Sequence, residues 1–456
     1  MYKLRRKQRI HVSGSNVVAR PARTVAVGFA ATILIGGLLL ASPLSSSTGQ
    51  YTDLIDAIFT ATSAVCVTGL AVLDTATQFS IFGKIVIIVL IQLGGLGIML
   101  VASLFSLSIL GKLSLKAKIT TQTEAKAVEG QDVKNASLSI VKVTFIIEGA
   151  IALLLAGRFF FGYGYDPGKA LAYGAFHAIS AFNNAGFALY SDNLVGFAAD
   201  PWVCLPIAAA IILGGLGFPV ILQIRRYARN RLKWSMNTKL VLVGTAVLLA
   251  VGTVFITGME WSNPDTLGPM PIQDKVLAGF FQSVQTRTAG FNSIDIGAMH
   301  GATWLGMDVL MFVGAGPAGT GGGIKITTFA VLLFILFTEL RGESAVNIFG
   351  KRLSRSVHRQ AISVVLMAVA AVLSGTMILL VVTNFTLDEC LFEAISAFAT
   401  VGLSTGITPD LPPSGEWVLI ALMYLGRVGV LSLGSALALR DKKAVFELPK
   451  ERPAIG

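Results

Sequence analysis

The chain has 456 residues, 54% hydrophobic and 13% charged, with a formal net charge of +11 and a mean hydropathy of +0.73. So little charge cannot cover the surface of a water-soluble protein of this length, which excludes a soluble enzyme or binding module and leaves a polytopic helical membrane protein. Nucleic acid is not the partner of the positive charge, because 29 of the 36 Lys and Arg residues fall in five clusters (1–24, 111–142, 225–239, 341–359 and 440–452) that flank apolar segments, as positive-inside sorting requires.

Residues 1–24 carry seven basic residues and no long apolar run, so they read as a cytoplasmic tail rather than a cleavable signal. The basic clusters then delimit four units, 25–111, 138–226, 236–341 and 359–440, followed by a second cytoplasmic tail over 441–456. Each unit leaves the cytoplasm and returns to it, so each holds an even number of crossings. First helices are predicted over 25–43, 139–162, 237–258 and 360–385, and second helices over 81–110, 201–224, 302–340 (interrupted) and 416–438. Between them lie short helical patterns over 52–64, 169–182, 275–285 and 387–398, too short and polar to span. The expected fold is an all-α membrane protein with eight transmembrane helices and four re-entrant pore helices.

Each half-helix runs into one of four similar segments: Ser63-Ala-Val-Cys-Val-Thr-Gly69-Leu, Ser180-Ala-Phe-Asn-Asn-Ala-Gly186-Phe, Val284-Gln-Thr-Arg-Thr-Ala-Gly290-Phe and Ser396-Ala-Phe-Ala-Thr-Val-Gly402-Leu. Four equivalent loops of small residues can close around one axis, where backbone carbonyls replace the water of a permeating cation. The candidate filter residues are Cys66, Val67, Thr68 and Gly69; Asn183, Asn184, Ala185 and Gly186; Arg287, Thr288, Ala289 and Gly290; and Ala399, Thr400, Val401 and Gly402. A half-helix ending at the loop points its negative dipole end at the axis, which favours a cation. Arg287 is at odds with a cation filter, and its side chain is expected to turn away from the axis, toward an acid such as Asp295.

The second helices repeat as well. Leu93-Gly94-Gly95-Leu96-Gly97 matches Leu213-Gly214-Gly215-Leu216-Gly217, Leu425-Gly426-Arg427-Val428-Gly429 keeps the frame, and Val313-Gly314-Ala315-Gly316 stands in the third unit. Close helix packing is the favoured reading of the glycines in the first two units, and agreement at two places per unit marks a fourfold internal repeat. The third unit continues into a loop over 314–328, with Gly314, Gly316, Gly319, Thr320, Gly321, Gly322, Gly323 and Lys325 as candidate gate residues. Six glycines and a proline within 314–323 cannot hold a regular helix, so this backbone lines water or is buried in protein below the filter. Arg427, at membrane depth, is expected to hold loop carbonyls, with pairing to Glu148 as the alternative; the roles of Lys325 and Glu148 are left open.

Other chemistry is poorly supported. Gly314-Ala-Gly316-Pro-Ala-Gly319 fits a dinucleotide fingerprint by spacing, but its flanks are membrane helix and Pro317 breaks the helix start. Cys66, Cys204 and Cys390, like the four histidines, are dispersed, which suggests no disulfide framework, metal site or catalytic cluster. An ion-coupled secondary transporter with alternating access is the alternative to a channel-like pore, but it calls for inverted repeats.

The four filter glycines, the Thr-Arg-Thr-Ala-Gly290-Phe-Asn segment, the loop ending Gly-Gly-Gly-Ile-Lys-Ile-Thr-Thr and Arg427 together resemble the Trk/Ktr/HKT superfamily of potassium transporters, most closely the membrane subunits of bacterial Ktr systems. The resemblance covers nearly the whole chain. It implies four M1–P–M2 repeats with pseudo-fourfold symmetry around one central pore and K⁺ at the filter carbonyls. It also implies a homodimer in the bacterial inner membrane with both termini cytoplasmic, a cytosolic ring of RCK-domain regulatory subunits, stimulation by Na⁺ and no cofactor in this chain. The loop over 314–328 would be the intramembrane gate, made stiffer than a Gly/Ser loop by Pro317 and Ala318. The basic stretch 225–233 is compatible with an acidic partner surface or with anionic membrane lipid.

Overall fold

The computed structural model describes residues 15–97, 100 and 125–429, with side chains over 25–97, 100 and 137–429. The remainder of the two predicted tails, the parts of the first and fourth units at 98–99, 101–111 and 430–440, and the connecting residues 112–124 lie outside the described residues. Within them, regular structure is helical except for a two-stranded antiparallel hairpin, β1 (Asn347–Ile348) with β2 (Lys351–Arg352).

The first unit holds α1 (Ser15–Ala41), the half-helix α2 (Leu54–Cys66), a short turn of helix α3 (Thr75–Gln78) and α4 (Ile81–Gly97). The second holds α5 (Ala125–Tyr163), the half-helix α6 (Pro167–Phe182), and α7 (Pro201–Leu216) with α8 (Phe218–Arg226). The third holds α9 (Met236–Met259), the half-helix α10 (Ile272–Gln285), α11 (Gly301–Phe312) and α12 (Ile326–Leu340). In the fourth, α13 (Arg355–Val382) and the half-helix α14 (Leu387–Ala399) precede α15 (Pro413–Tyr424), which runs into a π-helical turn over Leu425–Gly429. Local chemistry starts three of the four half-helices. The Asp53 side chain accepts from the Ile55 N–H, Asp166 accepts from the N–H groups of Gly168 and Lys169 beside Pro167, and Thr386 with Glu389 forms a capping box.

Among the described residues, three helices are long and apolar enough to cross a membrane: α5 over Ser137–Tyr163, α9 and α13. The α7–α8 pair makes a fourth if the two are one span, and α1, α2, α4 and α12 contribute shorter apolar stretches. Outward faces are apolar, with Leu38, Leu153, Val254 and Val381 between 66% and 84% exposed, a surface suited to lipid and not to water. Two predicted boundaries need correction. The helix expected over 201–224 is bent by 94° at Gly217, where φ is 89°. The irregular segment of the third unit ends at Lys325, so residues 326–328 belong to α12 and not to the loop.

Each half-helix packs on the first helix of its own unit: α2 on α1, α6 on α5, α10 on α9 and α14 on α13. Contacts between units follow the chain order and then close on themselves. Gln92 and Asn183 join the first unit to the second, α7 meets α10, α11 meets α14, and α15 returns to α2.

Candidate functional site

All four half-helices end in the same backbone manoeuvre. The residue two before each glycine has a positive φ without being glycine: Val67 at 58°, Asn184 at 60°, Thr288 at 67° and Thr400 at 51°. The glycines follow with φ of 98° at Gly69, 71° at Gly186, 77° at Gly290 and 92° at Gly402. Left-handed backbone costs a β-branched residue about 1–2 kcal/mol. Three of the four non-glycine positions are Val or Thr, so this strain is set by the surrounding structure and not by local preference.

Hydrogen bonds from the half-helix hold the loops. Thr68, Ala185 and Val401 donate their N–H groups to the carbonyls of Ser63, Ser180 and Ser396 at 2.7–2.8 Å. The repeated serine has a further use in two units, since the hydroxyls of Ser63 and Ser396 accept from the N–H groups of Gly69 and Gly402 at 3.0 and 3.1 Å. In the third unit, Gln285 Oε1 takes over by accepting from Phe291 N–H at 3.1 Å. Ser180 Oγ, by contrast, has no partner among the described residues.

The four loops meet one another in cyclic order. A Cβ placed on Gly69 would stand 2.6 Å from the Ala185 carbonyl oxygen, and one on Gly186 would stand 2.8 Å from that of Ala289. On Gly290 it would stand 2.6 Å from the Val401 oxygen, and on Gly402 2.0 Å from the Thr68 oxygen, which closes the ring. In every case the oxygen belongs to the residue just before the next unit's glycine. Only glycine lets these carbonyls approach so closely. On one side the ring opens into a cleft of about 450 Å³ whose lining includes Gly69, Gly290 and Gly402 together with Asp192 and Asp295.

The second-helix glycines pack against the ends of the half-helices. A Cβ on Gly94, Gly214 or Gly426 would stand 2.0, 1.9 or 1.7 Å from the carbonyl oxygen of Val65, Phe182 or Phe398, each four residues before a filter glycine. The third unit departs from this, because Gly314 packs against the carbonyl of Gly322 within its own loop.

That loop lies against the residues two before Gly290 and Gly402 of the ring. A Cβ on Gly321 or Gly322 would fall 2.0 or 2.1 Å from the Thr288 or Thr400 hydroxyl. Gly316 and Thr320 donate their N–H groups to the carbonyls of Gly215 and Gly214, and the Thr320 hydroxyl lies 3.1 Å from Asn184 Oδ1 and 3.2 Å from the Phe182 carbonyl. Lys325 Nζ donates to the Gly321 carbonyl at 2.6 Å and stitches the loop to itself. The Arg427 guanidinium donates to the Thr320 carbonyl, and its Nη2 to the Gly94 carbonyl at 3.3 Å. The bend at Gly217 accommodates the loop too, since a Cβ there would stand 2.3 Å from the Pro317 carbonyl.

Two sequence-based pairings do not form. The Arg287 Nη2 lies 3.4 Å from the Gly314 carbonyl, while Asp295 is exposed, lines the cleft and accepts from Gly297 N–H. Glu148 does not pair with Arg427. It accepts from Gln92 Nε2 at 3.2 Å and from Asn183 Nδ2 at 3.0 Å. Gln92 and Gln285 were missed as functional residues; an amide in an otherwise apolar membrane segment was the available signal.

The sequence and the fold have recognisable relatives. Residues 17–444 match the family model TrkH, described as a cation transport protein. The chain is 41% identical to "Ktr system potassium uptake protein B" of Bacillus subtilis (strain 168), with 93% of this chain and 94% of the relative covered. It is 37% identical to the protein of the same name from Vibrio alginolyticus, over 95% and 94%, and 35% identical to "Potassium/sodium uptake protein NtpJ" of Enterococcus hirae, over 96% and 97%. The crystal structure of the potassium transporter TrkH from Vibrio parahaemolyticus superposes with a TM-score of 0.69 at 17% identity, over 94% of this chain and 86% of that one, a likeness of fold. A family match over nearly the full length and relatives of this identity have one reading: the chain belongs to the TrkH family of cation transport proteins.

Proposed function

We infer that this chain is the pore-forming membrane subunit of a Ktr-type potassium uptake system and conducts through one channel-like pore per chain. In this reading each unit is an M1–P–M2 repeat, the eight M1 and M2 elements cross the bilayer, and the four half-helices enter from outside with pseudo-fourfold symmetry. The closed ring of glycines and preceding carbonyls carries the reading, because it gathers neutral oxygens where a cation loses its water. Asp192 and Asp295 at the outer cleft raise the local cation concentration. Potassium as the cargo is supported by the names of the relatives, one of which also names sodium.

The loop from Gly314 to Lys325 is the gate in this reading, because its glycines abut filter residues and Arg427 pins it. A homodimer, a cytosolic ring of RCK-domain regulatory subunits and stimulation by Na⁺ belong to the same proposal. The naming of two relatives as parts of a Ktr system supports an assembly of several components. The test is uptake of radioactive rubidium and sodium into liposomes that contain the chain, with and without its cytosolic partner, for wild type and Gly290→Ser. Selective rubidium uptake that weakens and admits sodium in the variant is expected; equal uptake of both ions by the wild type would overturn the potassium filter.

A further inference from the structure

Glu148 is 3% exposed in α5, and among the described residues it enters no ion pair. A carboxylate at that depth is costly unless its oxygens are well occupied. Here both are occupied by neutral amides, Oε1 by Asn183 Nδ2 and Oε2 by Gln92 Nε2. Gln92 Oε1 also accepts from Asn183 Nδ2, at 2.8 Å, so the three side chains form a triangle. The site is shaped for it: a Cβ on Gly95 would stand 2.0 Å from Asn183 Oδ1, so α4 is cut away where the asparagine enters.

Asn183 and Asn184 face opposite tasks. Asn183 reaches outward to α4 and α5, which belong to two different units. Asn184, in the left-handed region, reaches toward Thr320 of the loop. The next residue, Ala185, supplies its carbonyl to the ring beside Gly69. The outward anchor therefore fixes the strained peptide that carries both the ring oxygen and the contact with the loop.

We propose that Glu148 is the positioning residue of the second filter loop, holding Asn183 so that the Ala185 carbonyl stays in the ring and Asn184 stays against Thr320. The inference rests on the filter reading above. It assigns Glu148 a role in ion discrimination without contact with the ion.

The test uses the full-length chain in liposomes. Rubidium uptake is measured against concentration, with sodium competition, for wild type, Glu148→Ala, Glu148→Gln, Asn183→Ala and the double variant Glu148→Ala with Asn183→Ala. Losing a hydrogen bond to a buried charged group is expected to raise the half-saturating rubidium concentration about tenfold and to lower rubidium-over-sodium discrimination by a similar factor. The maximal rate should change less. Asn183→Ala, which also loses the bonds to Gln92 and to the Ile179 carbonyl, should be at least as damaging as Glu148→Ala, and the double should be no worse than Asn183→Ala alone. Glu148→Gln, which keeps one acceptor oxygen, should fall between wild type and alanine. It also carries the comparison with Asn183→Ala if Glu148→Ala does not fold. Selective wild-type uptake that is unaltered by the Glu148 variants, or defects that multiply in the double, would overturn the inference and leave the filter reading intact. Unselective wild-type uptake would strike the filter reading itself.

Discussion

The Arg427 guanidinium bridges the Thr320 carbonyl in the loop of the third unit and the Gly94 carbonyl in the second helix of the first. One side chain from the last unit thus ties together segments that are far apart in the sequence. The adjoining filter end takes part as well, because the Thr320 hydroxyl lies within reach of Asn184.

Replacing Arg427 with Ala removes both bonds, each worth about 1.5–3 kcal/mol as charged hydrogen bonds. Release of the loop is expected to raise rubidium flux at least about tenfold with little change in rubidium-over-sodium preference. Arg427→Lys should be intermediate, since a single ammonium cannot reproduce the planar fork that serves two carbonyls. A change confined to ion preference would move Arg427 from the gate to the filter.

The loop is also held by what its glycines lack. A methyl at Gly322 would meet the Thr400 hydroxyl at 2.1 Å, and a methyl at Gly217 would meet the Pro317 carbonyl at 2.3 Å. Gly322→Ala and Gly217→Ala should both push the loop off its seat and increase flux. Gly258→Ala in α9, which meets nothing within 4 Å among the described residues, should leave flux unchanged. Equal flux in all three variants would mean that the loop does not obstruct the path.

The four matching glycine segments and the irregular loop of the third unit are legible because they rest on local pattern: Ser six residues before Gly in three segments, and glycine density no helix can hold. The 94° bend at Gly217 had a readable signal in Gly217-Phe-Pro219, which places a breaker before a residue suited to a helix start. Its cause, the approach of the Pro317 carbonyl, is a contact between units that no local pattern contains. Arg287, whose partner is the Gly314 carbonyl of its own unit and not the nearer-in-sequence Asp295, and Glu148, whose partners come from α4 and α6, likewise depend on contacts made only in the folded chain.

Second-helix packing makes a prediction about stability. A Cβ on Gly426 would stand 1.7 Å from the Phe398 carbonyl oxygen, so Gly426→Ala must displace α14 or the π-helical turn at a cost of roughly 1–3 kcal/mol. Gly149, in the lipid-facing part of α5, has nothing within 4 Å, and Gly149→Ala should stabilise by roughly 0.5–1 kcal/mol through helix propensity. Thermal unfolding in detergent should therefore move in opposite directions for the two variants.

Glu260 follows the end of α9 and gathers the chain around it. Its carboxylate accepts from Asn263 Nδ2 at 2.6 Å, from the Thr266 hydroxyl at 2.7 Å, from the His300 N–H at 3.0 Å and from the Thr303 hydroxyl. Burial pushes its pKa up, and the hydrogen bonds outweigh burial and hold it below the ordinary 4.5. A carboxyl depressed in the folded state contributes fully above its ordinary value, and the contribution is lost as pH falls through the folded value. The melting temperature of the wild type should therefore drop below about pH 4.5, while Glu260→Gln starts lower at neutral pH and converges on the wild type in acid. Parallel curves for the two proteins would assign the acid sensitivity elsewhere.

Two glycines separate backbone strain from ring closure. Gly402 and Gly406 have φ of 92° and 108°, so alanine is strained at both, by about 1–2 kcal/mol. A Cβ on Gly406 meets nothing within 4 Å, whereas on Gly402 it would stand 2.0 Å from the Thr68 carbonyl oxygen. Both variants should lose some thermal stability. Only Gly402→Ala should lose rubidium-over-sodium discrimination, because only there does the methyl enter the carbonyl ring. Matching selectivity defects in the two variants would mean that strain in the fourth loop, and not the spacing of oxygens, sets ion preference.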